Sequence, residues 1–252
     1  MIAKVYPLNP AEKEACKVFI NEHLKTGHIR PSKSPQAAPF FFVPKKDGSL
    51  CPCQDYRYLN SHIIQNTYPL PLISELIDDM KDSTLFTKFN VWWGYKNVYI
   101  REDNQWKAAF ITPFGLYEPT IMFFCFCNAP ATFQAFMNHI FTDMITEQWL
   151  KIYMDDLGIH TKDDLALHHE CTRHVLEHLW EHGLSLKVSK CSFNTSTMEY
   201  LGMIIGQGLI QMDSRKLSAI KDWHSPSSIK GVRSFLGFAN FYHKSFLTTP
   251  TS

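Results

Sequence analysis

Apolar residues recur along this chain first at helical and then at strand spacing, and the mixture predicts a fold built from both. Over residues 10–24, Ala15, Val18, Phe19 and Leu24 fall near one helical face, behind Asn9 as an N-cap and Pro10 in the first turn. Pro31, Pro35 and Pro39 then punctuate the chain. Phe40-Phe41-Phe42-Val43 reads as a short strand, and Lys46-Asp47-Gly48-Ser49 has the composition of a tight hairpin turn. Pro69 and Pro71 mark a loop before a helix over about 72–80. From Thr84 to Val91 the period becomes two: Leu85, Thr87, Phe89 and Val91 point one way, and Thr84, Phe86, Lys88 and Asn90 the other. Asn90, the last polar residue, is expected to emerge on an accessible face. Phe133, Phe136, Met137, Ile140, Phe141 and Met144 give one long helix over 129–145. Residues 150–160 read as two strands broken by Asp155-Asp156. An amphipathic helix over 163–182 stops at Gly183, and two more helices are expected near 214–223 and 229–242. Strands and helices mix without strict alternation, so the fold class is α+β.

Composition narrows the picture. Of 252 residues, 45% are hydrophobic and 14% aromatic. That is enough for a packed core and excludes a disordered chain. The net charge of +1 excludes a globally basic protein, so any nucleic-acid surface must be local. The N-terminus lacks the apolar run of a signal peptide. The longest greasy stretch, residues 121–127, is far too short to span a bilayer. The expectation is a soluble intracellular protein, cytoplasmic or nuclear, with no membrane partner. Seven cysteines show no disulfide-framework spacing. The pairs Cys51/Cys53 and Cys125/Cys127 lack the two-residue spacer of common zinc sites, so reduced thiols are expected.

The sharpest feature is Tyr153-Met154-Asp155-Asp156. Adjacent carboxylates at a tight turn between apolar strands repel one another. A divalent metal bound with substrate phosphates is one reason to place them there. A solvated acidic turn is the other.

The surrounding motifs decide between these. In order, the chain carries Asp55-Tyr56-Arg57-Tyr58-Leu59-Asn60, Tyr68-Pro69-Leu70-Pro71 and Gln105-Trp106-Lys107-Ala108-Ala109-Phe110. Thr112-Pro113-Phe114-Gly115-Leu116-Tyr117-Glu118 and Asn128-Ala129-Pro130-Ala131-Thr132-Phe133-Gln134 follow, and then the YMDD turn. After it come Leu186-Lys187, Lys190-Cys191-Ser192-Phe193, Glu199-Tyr200-Leu201-Gly202 and the run from Ser234 to Tyr242. From about Tyr6 to Phe246 this series resembles the reverse transcriptases of gypsy-class LTR retrotransposons.

The resemblance implies a right-hand polymerase fold. Its fingers would span about 1–65 and 100–124. Its palm, with a ferredoxin-like antiparallel sheet, would span about 66–99 and 125–212, and a thumb 213–252. It implies RNA-directed DNA polymerisation from deoxynucleoside triphosphates on a primed RNA or DNA template, with two Mg²⁺ ions activating the primer hydroxyl and neutralising the transferring phosphate. Asp155 and Asp156 match catalytic metal ligands. Tyr95 matches the aromatic that excludes a 2′-hydroxyl. Lys45 or Lys46 matches a lysine on the triphosphate, and Lys187 one near the leaving pyrophosphate. Tyr200, Leu201 and Gly202 match a hairpin that grips the primer, and Arg57 and Gln134 lie on the template side. With no protease, RNase H or integrase motif in view, the chain is expected to be a fragment of a polyprotein or a truncated product.

Several positions depart from that pattern. The family places its first metal ligand, an aspartate, where this chain has Asn90, within Lys88-Phe89-Asn90-Val91. A charge pair at ~4 Å is worth roughly 4 kcal/mol at an effective dielectric near 20, so losing the carboxylate implies a rate loss of orders of magnitude. Cys51 replaces an arginine on the nucleotide phosphates and supplies no charged fork. Phe123 and Cys125 replace proline and glycine beside the nucleotide, where a side chain crowds the pocket. The resemblance also brings Cys51 and Cys125 to opposite walls of that pocket, close enough to approach. The expected outcome is an impaired or inactive copy. The alternatives are a non-catalytic nucleic-acid-binding remnant and a retrotransposon fragment without function. His174, His178 and His182 recur every four residues, interleaved with Glu170, Glu177 and Glu181, and read as a solvated helix face.

Overall fold

The computed structural model describes residues 4–45, 48–206, 208–212, 223 and 225–246, with side chains through 237. The chain divides into two compact units, residues 1–69 with 93–136, and residues 70–92 with 137–252. Residues 93–99 and 125–136, which the sequence grouped with a palm, cluster with the first unit.

The first unit opens with helix Pro10–Lys25. Asn9 caps it through Oδ1, which accepts from the Glu12 backbone N–H at 2.9 Å, and the Glu12 carboxylate accepts from the Asn9 N–H at 2.8 Å. Its buried face carries Cys16, Phe19, Ile20 and His23, while Val18 and Leu24 are exposed. The expected stripe was rotated because a cysteine and a histidine serve as core residues, and a hydrophobicity pattern does not count them. The face packs on Ile29, Phe40, Phe42 and Phe110. Beside it is a five-stranded sheet in the order Ile29–Pro31, Gly115–Pro119, Phe110–Thr112, Ala38–Pro44, Leu50–Gln54. Only Ala38–Pro44 and Phe110–Thr112 pair in parallel. The expected Phe40 strand and its hairpin form, with Val43 opposite Cys51 and Gly48 in the left-handed region at φ 80°. Lys46 and Asp47 of the turn lie outside the described residues.

The second unit centres on the antiparallel sheet Ser192–Thr195, Leu85–Trp92, Asp156–Thr161, Leu150–Tyr153. The expected alternation of direction along the Leu85 strand is present, but both of its faces are covered: Phe86, Thr87, Phe89, Asn90 and Val91 are all buried. Phe86 packs with Leu76, Ile77 and Met80 of helix Ile73–Met80 and with Met198, Tyr200, Met203 and Ile205. Thr87 instead meets His168 of helix Leu165–Glu181 (Oγ1 to Nε2, 2.8 Å). Met198–Tyr200, Met203–Gly206 and Leu209–Met212 form a three-stranded meander.

The helix expected over 129–145 is two, Ala129–Ile140 and Thr142–Thr146, broken at Phe141 with φ −112° and ψ 21°. Spacing alone carried no mark of that break. The helix expected near 214–223 lies, but for Trp223, outside the described residues, and the last described helix is Ile229–Phe246. The histidines expected on a solvated face are partly engaged. His178 Nδ1 lies 3.1 Å from the Ile140 carbonyl, and its ring stacks on Phe141.

One glycine of the meander has no room for a side chain. Gly206 has φ 153°, and a Cβ there would meet the Ser196 carbonyl and lie 2.9 Å from Thr197 Cα. Gly206→Ala is expected to cost about 2 kcal/mol, read by urea unfolding. Gly208→Ala, where φ is 73° and nothing lies within 4 Å, is expected to cost less; equal losses would refute the clash.

Candidate active site

The chemistry gathers in the second unit. Tyr153 pairs with Asp156 to close a hairpin, leaving Met154 and Asp155 as its turn. Met154 sits at φ 53°, a conformation that costs a non-glycine residue energy. The adjacent strand sets Asn90 directly opposite Asp156. Its side-chain Nδ2 donates to Asp156 Oδ1 at 2.9 Å and to Asp155 Oδ2 at 3.2 Å. Backbone bonds lock the frame: Val91 N–H donates to the Asp155 carbonyl at 2.8 Å, and Lys187 N–H to the Asn90 carbonyl at 2.9 Å. Asn90 is only 5% exposed, so the accessible face expected for it is absent. The carboxylates and the flanking strands cover it.

The local electrostatics follow from this crowding. Burial pushes the Asp155 carboxyl above its ordinary range, and the Asp156 charge pushes the same way. The Asn90 amide and the Lys190 charge oppose both. Lys88 Nζ lies 3.7 Å from Asp156 Oδ1 and donates to the Glu199 carbonyl at 3.0 Å. The sequence reading gave Lys88 no role. The signal was present, since it stands two residues before Asn90 and a strand puts such residues on one face. Tyr200, fully buried, directs its hydroxyl at the Lys151 and Asp156 carbonyls, 3.2 Å from each.

Residues 43–205 match the model of the family described as reverse transcriptase (RNA-dependent DNA polymerase). The chain belongs to the reverse transcriptase family. It is 36% identical over 239 residues to the Transposon Tf2-3 polyprotein of Schizosaccharomyces pombe, covering 95% of this chain and 18% of that one. The Transposon Tf2-7 polyprotein of the same organism is 35% identical with the same coverage. This chain therefore spans under a fifth of the length of these relatives. Two solved foamy viral protease–reverse transcriptases share the fold. One, termed dRH and in complex with dsDNA, has a TM-score of 0.86, 24% identity and coverage of 96% of this chain and 42% of its own. The other, in complex with an RNA/DNA hybrid, has a TM-score of 0.83, 23% identity and coverage of 96% and 32%. The mixed α+β content with antiparallel sheets is thus the polymerase fold, and the family's activity is RNA-directed DNA polymerisation.

Reverse transcriptases generally depend on two divalent metals. The residues here do not fit such a pair. The donor set is two carboxylates and an amide, and the amide turns its hydrogens toward both carboxylates, where a metal needs oxygen lone pairs. Among the described residues, no group of three His, Cys, Asp or Glu side chains is arranged to hold a metal ion.

The other residues that the sequence matched to reverse transcriptase motifs are scattered more widely. Leu201 and Gly202, at φ 50° and 85°, form a primed two-residue turn between Tyr200 and Met203. They are half-exposed, whereas Tyr200 is core. Lys187 is exposed beside the acidic cluster. In the first unit Tyr95 is half-buried, its ring 4.9 Å from that of Phe133. Gly94 permits that approach, since a Cβ there would lie 2.8 Å from Phe133 Cε2. Lys45 is exposed, and Lys46 is outside the described residues. Arg57 is exposed and forks onto its own neighbour Asp55, with Nε 2.8 Å from Oδ1 and Nη2 2.5 Å from Oδ2. Gln134 is fully buried, so its amide belongs to the interior rather than to a template-facing surface. Cys51 and Cys125 are half-buried and Cys53 is buried. No described helix is long and apolar enough to cross a membrane.

Proposed function

We propose that this chain is the polymerase part of a gypsy-class LTR retrotransposon reverse transcriptase whose own nucleotidyl transfer is impaired. In this reading Asp155 and Asp156 are the surviving catalytic carboxylates and Asn90 is the lost one. Tyr95, Lys45 or Lys46, and Lys187 match the positions that serve the incoming nucleotide in that family. Cys51 and Cys125 stand where an arginine and a glycine served it. The Leu201-Gly202 turn touches the primer end and Arg57 the template side, with fingers, palm and thumb divided as the motifs imply. Mg²⁺ binds weakly at best.

The observation that carries the reading is the Asn90 amide, which bridges the two carboxylates and leaves them already hydrogen-bonded. Lys88 beside Asp156 neutralises part of the remaining charge. Retention of nucleic-acid binding is supported by the intact fold and by the foamy viral proteins captured with dsDNA and with an RNA/DNA hybrid. Such binding rests on phosphate contacts rather than on chemistry.

A primer-extension assay on RNA and DNA templates with Mg²⁺ or Mn²⁺, run beside a gel-shift with an RNA/DNA hybrid, tests the proposal. The expected result is a salt-sensitive shift with extension at least ~100-fold below that of an intact family member. Extension at an ordinary family rate would overturn it.

A further inference from the structure

We propose that a cavity in the second unit, between helix Leu165–Glu181 and residues 140–149, binds an alkylguanidinium group, carried by a free amine such as agmatine or by an arginine side chain. The proposal does not depend on the polymerase reading, because no residue of the acidic turn lines this cavity.

The cavity forms where the long palm helix is interrupted. The chain leaves helix Ala129–Ile140 at Phe141 and becomes helical again over Thr142–Thr146. That segment and the loop to Trp149 supply part of the lining, and the last two turns of helix Leu165–Glu181 supply the rest. The enclosed space is about 330 Å³, at the small end of the range for ligand sites, roughly 300–1,000 Å³. Its floor is apolar: Ile140, Phe141 and Met144 are all buried. Trp149, half-buried, adds an indole. That ring is held by its own N–H, which donates to Glu147 Oε2 at 2.6 Å.

The polar lining consists largely of acceptors. Asp143, Glu147, Glu177 and Glu181 contribute carboxylates, and among the described residues no lysine or arginine lines the cavity. His178 adds a further acceptor. The Ile140 carbonyl can only accept, so His178 Nδ1, 3.1 Å away, carries the hydrogen and Nε2 of the neutral ring keeps its lone pair.

Two features set this place apart from an ordinary acidic surface. Glu177 and Glu181 fall at the C-terminal end of their helix, where the helix dipole is already negative and disfavours a carboxylate. Arg173 approaches Glu177 only to 3.9 Å, with both side chains more than half exposed, so it offsets little of that charge. The carboxylates also stand over an apolar, partly aromatic floor rather than over open solvent. A cation with a flat, weakly hydrated face suits both at once. Guanidinium is planar, carries several N–H donors in a fixed fork and stacks on indole, whereas an ammonium is compact and strongly hydrated. A bare metal ion fits poorly, since among the described residues no three His, Cys, Asp or Glu side chains are arranged to hold one. A ligand bearing its own carboxylate is repelled by the four already present. That disfavours free arginine and favours agmatine or an arginine within a peptide.

Isothermal titration of the full chain with agmatine and with N-acetyl-argininamide, at constant ionic strength, tests the proposal. Saturable binding of at least one is expected with a Kd below ~1 mM, and the tighter of the two identifies the source of the guanidinium. A change in tryptophan fluorescence is expected to accompany it and to vanish in Trp149→Phe. Glu177→Gln combined with Glu181→Gln preserves helix propensity and is expected to weaken binding at least ~tenfold. Glu170→Gln makes the same change of charge on an exposed site of the same helix outside the cavity, and is expected to leave binding within about twofold. Absence of saturation by ~10 mM of either ligand would overturn the proposal. So would equally tight binding of tetramethylammonium, a cation without N–H groups, an equal loss in Glu170→Gln, or a fluorescence change that survives in Trp149→Phe. The titrations with agmatine, N-acetyl-argininamide and tetramethylammonium use the unaltered protein, so a misfolded variant does not leave the question open.

Discussion

Asn90→Asp, combined with Cys51→Arg and Cys125→Gly, is expected to raise primer extension by about 10³-fold over the unaltered chain, most of it from residue 90. The amide now donates to both carboxylates. An aspartate there reverses the sign of that contact, and three carboxylates then face one another with the Lys88 ammonium, 3.7 Å from Asp156, as an offsetting charge. Even at an effective dielectric near 20, each close like-charge pair costs roughly 4 kcal/mol, and residue 90 would add such pairs to the one that Asp155 and Asp156 already make, a cost that divalent cations remove. The substitution therefore has a second readout that is independent of turnover. In EDTA the Asn90→Asp protein is expected to melt below the unaltered one, and millimolar Mn²⁺ or Mg²⁺ is expected to restore it. The unaltered chain is expected to show little metal-dependent shift. A triple variant that folds, gains metal-dependent stability and still fails to extend primers would place the decisive lesion elsewhere, with Phe123 the next candidate. A variant that shows no metal response would refute the account of residue 90.

Acid is expected to destabilise the second unit by about 3 kcal/mol through His160 alone. This side chain is 8% exposed, with Nδ1 2.9 Å from Ser83 Oγ. Burial first, then the Lys151 ammonium and His168, lower its pKa to about 4, with Asp79 partly offsetting them. Lys151 is itself buried and tied to Asp79 Oδ2 at 2.6 Å. Above about pH 6.5 the ring is neutral in both folded and unfolded chains, and no penalty arises. As pH falls from about 6.5 toward 4 the unfolded chain takes up a proton that the folded one refuses, so stability falls across that window. The difference of about 2.5 units corresponds to ~3 kcal/mol, of which roughly 2 appears by pH 5. Thermal melts at pH 7 and pH 5 measure it, and about 4–8 °C is expected for a domain of this size. His160→Gln keeps an acceptor for Ser83 and is expected to remove most of the drop. An identical drop in that variant would assign the acid sensitivity to other groups.

Much of this was legible in the sequence, for identifiable reasons. The acidic turn, the strands around it and the glycine-ended helix all rest on local chemistry, and local chemistry is what residue spacing reports. The rotated face of helix Pro10–Lys25 was missed because Cys16 and His23 are core residues by environment rather than by type. The Leu85 strand was misread because a strand covered on both sides has no polar face, and the polar letters at Thr87 and Asn90 are satisfied by partners about 65 to 81 residues away. Lys88 shares the Asn90 face by the same two-residue period.

The Tyr200 hydroxyl has a consequence for motion. Burial keeps the phenol protonated, so it remains a donor and shares one hydrogen between the carbonyls of Lys151 and Asp156. Its own strand belongs to the meander, while those carbonyls belong to the two arms of the acidic hairpin. The tip carrying the carboxylates is thus bolted at its base to a second sheet. A push on the Leu201-Gly202 turn arrives at Asp156 as a tilt, with Tyr200 as the fulcrum.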